Sequence, residues 1–413
     1  MWHLKEKLAK KISPVKTEFP DSPRRTNRII WIFIGFCVMA SCLIASVAIF
    51  SHYFIKFKIK QKEINQLTKT MSRGMVTSHC FGKVPIPPRL ANVPFADDLG
   101  IVLGVKSVPI RNVRAPHNAS LIRTASGYEL FFRYDVVSWK SYFAPYFSRI
   151  GVVHLNDQFE QGEQEFRTLD LDNDFAEDPR AMFVGDQLYV FCNILDTDNL
   201  KCRSMCVANV DPSSFNVNYR TVLEMNFQWM EKNWIPFEYV GANQEPKLFL
   251  EYRISPRKLL EVPDPQGGAM VDLRTPKGTA YITLPWANKW GEPRGGTPFI
   301  KVGDEYLSFF HSGFHEANGL IWYVMGAYTS EAHPPFRITG ISDYPILFRG
   351  IFDSPVIHTA DAHKRVIFPA GIVVEKRGGK EIAHVSCGEN DCAVKIVSFD
   401  LEKLMQSIGR LEK

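Results

Sequence analysis

Two sequence patterns that recur about every 60 residues constrain the fold of this 413-residue chain more than any other feature. The first is an eight-residue stretch in which a turn residue precedes an apolar, aromatic-rich run. Its five copies end at Arg133, Asn193, Arg253, His311 and Cys387, with spacings of 60, 60, 58 and 76 residues. Before each copy lies a second stretch with a proline near its start, and these prolines are Pro116, Pro179, Pro236, Pro298 and Pro369. Because the two patterns recur together at similar spacing, they predict five copies of one structural unit.

Each unit contains several short strands and no long amphipathic helical pattern, which is typical of a four-stranded propeller blade. We therefore expect an all-β fold, a five-bladed β-propeller that occupies residues 91–413. A β-sandwich with aromatic strands at similar spacing is the alternative. In a propeller the first strand of every blade lines the central channel, so polar side chains near the five prolines would converge on one axis.

The N-terminal part of the chain predicts a membrane anchor. Residues 29–50 contain no charged side chain, and a helix of this length reaches about 33 Å, which spans a bilayer core of about 30 Å. The run is longer than the apolar core of a signal peptide and lacks a clear cleavage site. We expect a basic tail at 1–28, one transmembrane helix at 29–50 and a stem at 51–90. The short tail favours type II topology, with the propeller luminal, periplasmic or extracellular.

The distribution of charge indicates which kind of binding partner to expect. The whole chain has a formal net charge of +5, but residues 76–413 contain 35 Lys and Arg against 40 Asp and Glu. A nucleic-acid partner is therefore not expected, because binding it requires cations that neutralise phosphates.

Cys387 and Cys392 enclose only four residues, and a disulfide or two reduced buried thiols are both compatible with that spacing. The sequence leaves the oligomeric state open.

Polar side chains are concentrated at the predicted axial ends of the strands. The starts of the first strands contribute His117, Asn118, Glu177, Asp178, Arg180, Lys232, Asn233, Arg294 and Thr297, and the second strands contribute Arg133, Asn193, Arg253, His311 and Asp391. Cations outnumber carboxylates in this set, and Arg, Lys and His together are suited to binding phosphate. A buried carboxylate among them would act as a general acid on a glycosidic oxygen if burial raised its pKa.

At these residues the sequence resembles the mannoside phosphorylases of the five-bladed propeller glycoside hydrolases and the related β-1,2-mannosyltransferases. The resemblance covers about residues 110 to 400. The ordered motifs that carry it are Glu177-Asp-Pro-Arg180, Arg203, Lys232-Asn-Trp-Ile-Pro-Phe237, Tyr252-Arg-Ile-Ser-Pro256, Gly295-Gly-Thr-Pro298, Phe309-Phe-His311, Tyr323-Val-Met-Gly326, Pro345-Ile-Leu347, Phe368-Pro-Ala-Gly371 and Cys387-Gly-Glu-Asn-Asp391.

The resemblance implies a role for each matching position. Asp178 would be the sole catalytic carboxylate and would protonate the leaving oxygen by way of a sugar hydroxyl, while phosphate attacks the anomeric carbon with inversion. Arg180 would lie beside the acid, and Asp391 would contact sugar hydroxyls. The phosphate-holding cations would be Arg203, Lys232 and His311. Inorganic phosphate or a sugar phosphate would be the co-substrate, and no other cofactor is expected. Whether the protein runs as a phosphorylase or a glycosyltransferase stays open.

Two other functions are compatible with the sequence. An inverting hydrolase of the arabinan or fructan propeller type would need a second carboxylate as base, and Asp135 at about 6.5 to 9.5 Å from Asp178 is the candidate. A glycan-binding propeller without catalysis is the other alternative, although such a protein has no need for phosphate-binding cations. The histidine pairs at 311/315 and 358/363 fall on predicted loops and strand ends, so a metal site is not expected.

Overall fold

The computed structural model describes residues 85–113, 115–135, 148–195, 202–223, 228–273, 285–356 and 363–411. Internal contacts separate Met1–Val76 from Thr77–Lys413, and every described residue belongs to the second part. The predicted tail at 1–28, the transmembrane helix at 29–50 and the stem as far as residue 84 lie outside the described residues. Within the ranges given above, no helix is long and apolar enough to cross a membrane.

The first half of the folded part is built from short antiparallel strands. After a 3-10 turn at Pro88–Leu90 comes strand β1 (Val102–Ser107). The first sheet contains β2 (His117–Thr124), β3 (Gly127–Asp135), β4 (Ser148–Leu155) and β5 (Arg167–Thr168). The second sheet contains β6 (Glu177–Val184), β7 (Gln187–Leu195), β8 (Arg203–Val210) and β9 (Val217–Val222). The third sheet contains β10 (Ile235–Val240), β11 (Pro246–Arg253), β12 (Lys258–Asp264) and β13 (Ala269–Leu273). In each of these sheets the strands neighbour one another in chain order.

The remaining strands form one ten-stranded sheet. After helix α1 (Pro285–Trp290) come β14 (Arg294–Gly295), β15 (Ile300–Val302), β16 (Glu305–His315), β17 (Ile321–Glu331), β18 (Ile338–Ser342), β19 (Lys364–Arg377), β20 (Lys380–Glu389) and β21 (Ala393–Asp400), and then helix α2 (Leu401–Ser407) and β22 (Ile408–Arg410). A short parallel ladder between β17 and β19 joins two antiparallel groups. We call β14 to β18 the fourth group, and β19 to β21 with β1 the fifth group.

Both recurring sequence patterns lie on strands. The aromatic-rich copies lie on β3, β7, β11, β16 and β20, and the proline-containing stretches lead into β2, β6, β10, β14 with β15, and β19. Each strand of the second kind pairs antiparallel with the following strand of the first kind. The predicted four-stranded unit is confirmed for the first three sheets. The sequence did not predict that β1, from the N-terminal side, completes the fifth group by pairing with β21.

Apolar layers between neighbouring sheets form the core. The first and second sheets share one layer, the second and third share another, and the first sheet shares a third layer with the fifth group. The largest layer combines the third sheet with the fourth and fifth groups. Each sheet is thus packed against the next, and the last is packed against the first. Leu90 is buried in this core, so the packing extends into the last residues of the predicted stem.

The five first strands also face a common space. A cavity of about 470 Å³ is lined by Ile122 of β2, Ala181 of β6, Tyr239 of β10, Ile300 of β15 and Val373 of β19, together with their neighbours. One strand from every unit therefore borders the same cavity.

The cysteines in the described ranges carry free thiols. Cys387 and Cys392 are free, so the short loop between them is not bridged. Cys192 and Cys206 occupy directly opposed positions on β7 and β8, and their sulfur atoms lie 3.1 Å apart without a disulfide. All four side chains are buried and pack as small apolar groups.

The close approach of β19 to β2 yields a stability prediction. A Cβ atom added to Gly371 would collide with the backbone nitrogen of Leu121 and lie 2.7 Å from the Cα atom of Ser120. Because backbone atoms cannot move aside as a side chain does, we expect Gly371→Ala to lower the free energy of unfolding by about 2 kcal/mol or more. Denaturant titration checks this, with Gly104→Ala as the control, since a Cβ there meets no atom within 4 Å. Equal stability of the two variants would contradict the packing of the fifth group on the first sheet.

Candidate active site

In three consecutive sheets, a residue with a left-handed backbone conformation lies at the start of the first strand. Asn118, Asp178 and Asn233 have φ values of 47°, 56° and 64°. At the first two of these positions the pairing register shifts, which marks a bulge. Asn and Asp adopt this backbone conformation more readily than other residues with a Cβ atom. The bulges interrupt the alternation of the strands and bring side chains from neighbouring sheets together.

Asn118 is a residue whose side chain contacts the neighbouring sheet in this way. Its Nδ2 donates a hydrogen bond of 2.7 Å to Oδ1 of Asp178, which is the equivalent position one unit later. Asn118 and Ser120 form a glycosylation sequon in the sequence, but both side chains are buried. A buried amide that already binds a carboxylate has no room for a glycan. Asn118 therefore contacts the predicted acid, and its part in binding substrate stays a prediction.

Asp178 is buried and surrounded by cations. Its Oδ1 lies 3.5 Å from Nη1 of Arg133, and its backbone carbonyl accepts a hydrogen bond of 3.0 Å from Arg180. Burial alone would raise the pKa of Asp178, but the charge of Arg133 and the hydrogen bond from Asn118 outweigh it. With further contributions from Arg180 and Lys232, the pKa falls to about 2. The expectation of a pKa raised by burial is therefore not met, and Asp178 is ionised at neutral pH in the unliganded protein.

Arg133 links the carboxylates of the site. Its guanidinium lies 3.0 Å from Glu177, 3.5 Å from Asp178 and 3.7 Å from Asp135. Burial would lower the pKa of Arg133, but the charges of Glu177 and Asp178 outweigh burial and raise it. Asp135 and Asp391 act in the same direction. Arg133 is thus permanently charged, and it binds both Asp135 and Asp178, the two carboxylates that a hydrolase mechanism would assign as base and acid.

Arg203 and Asn193 serve an internal network in the unliganded protein. Arg203 lies 2.6 Å from Glu177 and donates hydrogen bonds to Oδ1 of Asn193, at 2.8 Å, and to the carbonyl of Phe175, at 3.1 Å. Asn193 in turn donates to the carbonyl of Glu177 at 3.2 Å. Both were predicted to bind substrate or phosphate. The structure places them next to Glu177, which they hold against Arg133.

Arg180 spans the distance between two sheets. It starts on β6, and its guanidinium donates hydrogen bonds to the carbonyls of Gly296, at 2.7 Å, and Gly295, at 3.1 Å. The guanidinium carbon also lies 5.5 Å from the centre of the Phe368 ring. Burial lowers the pKa of Arg180 to about 10, and the charge of Asp178 partly offsets this effect. Arg180 therefore remains charged beside the predicted acid, as the resemblance implied.

His311 is neutral in the unliganded protein, whereas the resemblance implied a phosphate-holding cation. The ring is buried, and its centre lies 4.4 Å from that of Phe368. Burial and the positive charges of Arg180 and Arg294 lower the pKa of His311 to about 3. Within the described part of the chain, Nδ1 has no hydrogen-bond partner. A neutral imidazole can still donate one hydrogen bond to a phosphate or sugar oxygen.

The remaining predicted residues lie at the rim. Asp391 is half-buried, with a φ of 50°, and its charge acts on Arg133. Lys232 and Arg253 are exposed and line a second cavity of about 600 Å³ together with Arg294. That cavity also contains Trp229, which sequence reasoning missed. Its only sequence signal was an isolated tryptophan three residues before the Lys232 motif.

The structure therefore brings most of the predicted residues together. One site is surrounded by Asn118, Arg133, Asp178, Arg180, His311 and Asp391. Lys232 lies at its edge, and Arg253 lies farther out. Asn193 and Arg203 lie behind Glu177. Among the residues whose structure is described, no group of three or more His, Cys, Asp or Glu side chains is arranged to hold a metal ion. The arrangement is rich in cations, contains an ionised carboxylate and is suited to an anionic ligand.

Comparison with known proteins identifies structural neighbours. No protein-family model matches the chain, and no curated protein matches it in sequence. A candidate glycosidase from Bacteroides thetaiotaomicron is similar, with a TM-score of 0.51, 13% identity and coverage of 78% of this chain and 96% of that chain. A glycosyl hydrolase from Bacteroides ovatus gives a TM-score of 0.50 and 15% identity, covering 78% of this chain and 95% of that one.

A third neighbour belongs to the GH130 family of mannoside phosphorylases, a family described as containing glycoside hydrolases that target β-1,2 mannosidic linkages in Candida mannan. Its TM-score is 0.50 at 13% identity, and the match covers 79% of this chain and 96% of that chain. At such low identity the likeness shows a shared fold. The structural neighbours of this chain are thus mannoside phosphorylases and glycosidases.

The neutral state of His311 predicts a pH-dependent stability. The histidine has an ordinary pKa of about 6.5 when unfolded and about 3 when folded, so the unfolded chain binds the proton first as the pH falls. Between pH 7 and pH 4 the wild-type protein should lose on the order of 3 kcal/mol of unfolding free energy more than His311→Gln. Urea titrations at several pH values measure the difference. His333→Gln, at an exposed position, is the control and should follow the wild type. Parallel curves for wild type and His311→Gln would contradict a buried neutral imidazole.

Proposed function

We propose that the five units are the blades of a five-bladed β-propeller whose axis holds an active site for β-mannoside-like glycosidic bonds. Two observations support the propeller. The apolar layers connect each unit to the next and the last to the first, and one strand of every unit borders the same cavity. The three structural neighbours described above support a carbohydrate-active enzyme, and the one from the GH130 family of mannoside phosphorylases supports a mannoside substrate.

One observation carries the functional proposal: Asp178 is a buried carboxylate held in position among cations. Asn118 and Arg133 contact its Oδ1, and Arg180 and Lys232 add positive charge. Such a site attracts an anion, and phosphate has three acceptor oxygens for Arg and Lys. The resemblance in the sequence assigns the acid role to the same residue.

The protonation state of Asp178 determines whether this residue can donate a proton. In the unliganded protein the surrounding cations keep it ionised, so it has no proton to donate. A phosphate anion bound near Lys232 and Arg180 compensates their charge, and the pKa of Asp178 then rises because its ionised form loses stabilisation. Phosphate binding thus raises the pKa of Asp178, and the proton that the acid then carries comes from dihydrogen phosphate or from solvent. A hydrolase without phosphate would lack this step.

The reaction then follows as an inverting displacement. A phosphate oxygen forms a bond to the anomeric carbon while the bond from that carbon to the leaving oxygen breaks. The leaving oxygen takes a proton from a sugar hydroxyl, which receives one from Asp178. The neutral imidazole of His311 donates a hydrogen bond to the phosphate or to a sugar hydroxyl, and Asp391 binds sugar hydroxyls. The reverse direction transfers the sugar from its 1-phosphate to an acceptor, and a nucleotide sugar is the alternative donor.

The hydrolase alternative receives less support. A base and an acid in an inverting hydrolase are separated by space for a water molecule. Asp135, the candidate base, is already engaged by the guanidinium of Arg133 at 3.7 Å, and the same guanidinium contacts Asp178 at 3.5 Å. The membrane anchor at residues 29–50 and the type II topology belong to this proposal as well, and they rest on the sequence alone.

The decisive experiment compares the full-length protein in detergent with its Asp178→Asn variant. Each is incubated with β-mannosides with and without inorganic phosphate, and also with nucleotide-linked mannose, while sugar 1-phosphate and free sugar are quantified. We expect a phosphate-dependent sugar 1-phosphate product that falls about 10²- to 10⁴-fold in Asp178→Asn, since a positioned acid contributes that much.

Asp174→Asn is the matched control. Asp174 is an exposed aspartate four residues away that pairs with Arg149 on the surface at 2.6 Å, and its loss should leave turnover unchanged. Release of free sugar that is independent of phosphate would favour the hydrolase. Turnover in Asp178→Asn within a few-fold of the wild type would remove Asp178 from the mechanism.

A further inference from the structure

The second cavity, of about 600 Å³, adjoins the proposed active site. Its walls are formed by residues 228–234, by residues 252–256 and by residues 292–295. Lys232 and Asn233 belong both to this cavity and to the start of the third sheet that faces the axis. A ligand in the cavity would therefore lie beside Lys232, whose charge acts on Asp178. We call this space the side cavity.

The side cavity carries an excess of positive charge. Lys232, Arg253 and Arg294 line it, and all three are exposed. In the ranges that the structure describes, none of the three forms an ion pair within 4.0 Å. The nearest buried carboxylate, Glu231, accepts hydrogen bonds from Trp234 Nε1 at 3.2 Å and from the backbone of Gln228 at 2.7 Å. Glu292 is the other acid on the wall, so cations outnumber acids.

The cavity also presents an aromatic ring to solvent. Trp229 is 66% exposed, which is unusual for the largest apolar side chain. Its backbone is nevertheless fixed, because its carbonyl accepts a hydrogen bond of 3.1 Å from Arg203 and the nearby Glu231 donates one of 2.8 Å back to Arg203. A tryptophan with an anchored backbone and an exposed side chain provides a flat surface for stacking against the apolar face of a ring such as a sugar.

We propose that the side cavity binds a negatively charged sugar unit of the glycan, with its ring on Trp229 and its anionic group on Arg253 and Arg294. This inference rests on the proposed function in that Lys232 lies on the wall shared with the catalytic site. Neutral sugars need no such cations, and inorganic phosphate needs no aromatic platform. The combination selects a ligand that has both parts, such as a hexose phosphate or a hexuronic acid.

Direct binding tests this inference without turnover. The full-length chain carrying Asp178→Asn is titrated by calorimetry with mannose 6-phosphate, glucuronic acid, mannose, inorganic phosphate and guanosine diphosphate. The anionic sugars should bind at least 10-fold more tightly than mannose. Adding Arg253→Ala and Arg294→Ala should remove that preference, while adding Trp229→Ala should weaken the anionic sugars and leave inorganic phosphate unchanged. The comparison of phosphate with carboxylate shows which anionic group the cavity prefers.

Lys301→Ala is the matched control, because Lys301 is an exposed cation on the wall of the other cavity. Its binding constants should equal those of the parent. Affinities for anionic sugars within two-fold of the parent in the double arginine variant would overturn the inference, as would a failure of both anionic sugars to bind. Tighter binding of guanosine diphosphate than of either sugar would also overturn it and would assign the cavity to a nucleotide. Because no step requires catalysis, an inactive wild type with intact anionic-sugar binding would refute only the proposed function.

Discussion

Arg133 holds a buried cluster of charges together, and the geometry of the site depends on it. Its guanidinium contacts carboxylates at the start of the second sheet, Glu177 and Asp178, and Asp135 at the end of its own strand. Several carboxylates could not stay ionised in this buried position without a cation between them. Glu177 is held in turn by Arg203, so the first and second sheets are joined by ionic contacts as well as by an apolar layer.

The same cluster explains why the site suits an anion. Burial lowers the pKa of His311, and the positive charges of Arg180, Arg294 and Lys232 lower it further, since another positive charge beside them is unfavourable. Among the described cations of the site, Arg133 is the one matched by several carboxylates at close range. In the proposed function an anionic ligand completes the site and raises the pKa of Asp178. Under that proposal, substrate binding and acid strength are coupled through a shared set of charges.

Part of the site was accessible from the sequence because it is local. The spacing of the prolines and aromatic runs predicted the paired strands, since hairpins are formed by neighbours in the chain. The Glu177-Asp-Pro-Arg180 motif pointed to Asp178. The charge of His311 was not accessible, because the cations that lower its pKa come from β6 and β14. The role of Arg203 was also hidden, since its partner Glu177 lies 26 residues away on a different strand.

The sequence by itself determined the repeated unit, the candidate acid and the expectation of a membrane anchor, because these follow from patterns within short stretches of chain. Only the tertiary structure decided that β1 completes the last unit, that Asp178 is ionised and His311 neutral, and that Trp229 stands beside three exposed cations. These features depend on residues from distant parts of the chain that packing brings within a few ångströms. The strength of an electrostatic interaction depends on the distance between the charges in space and not on their separation along the sequence.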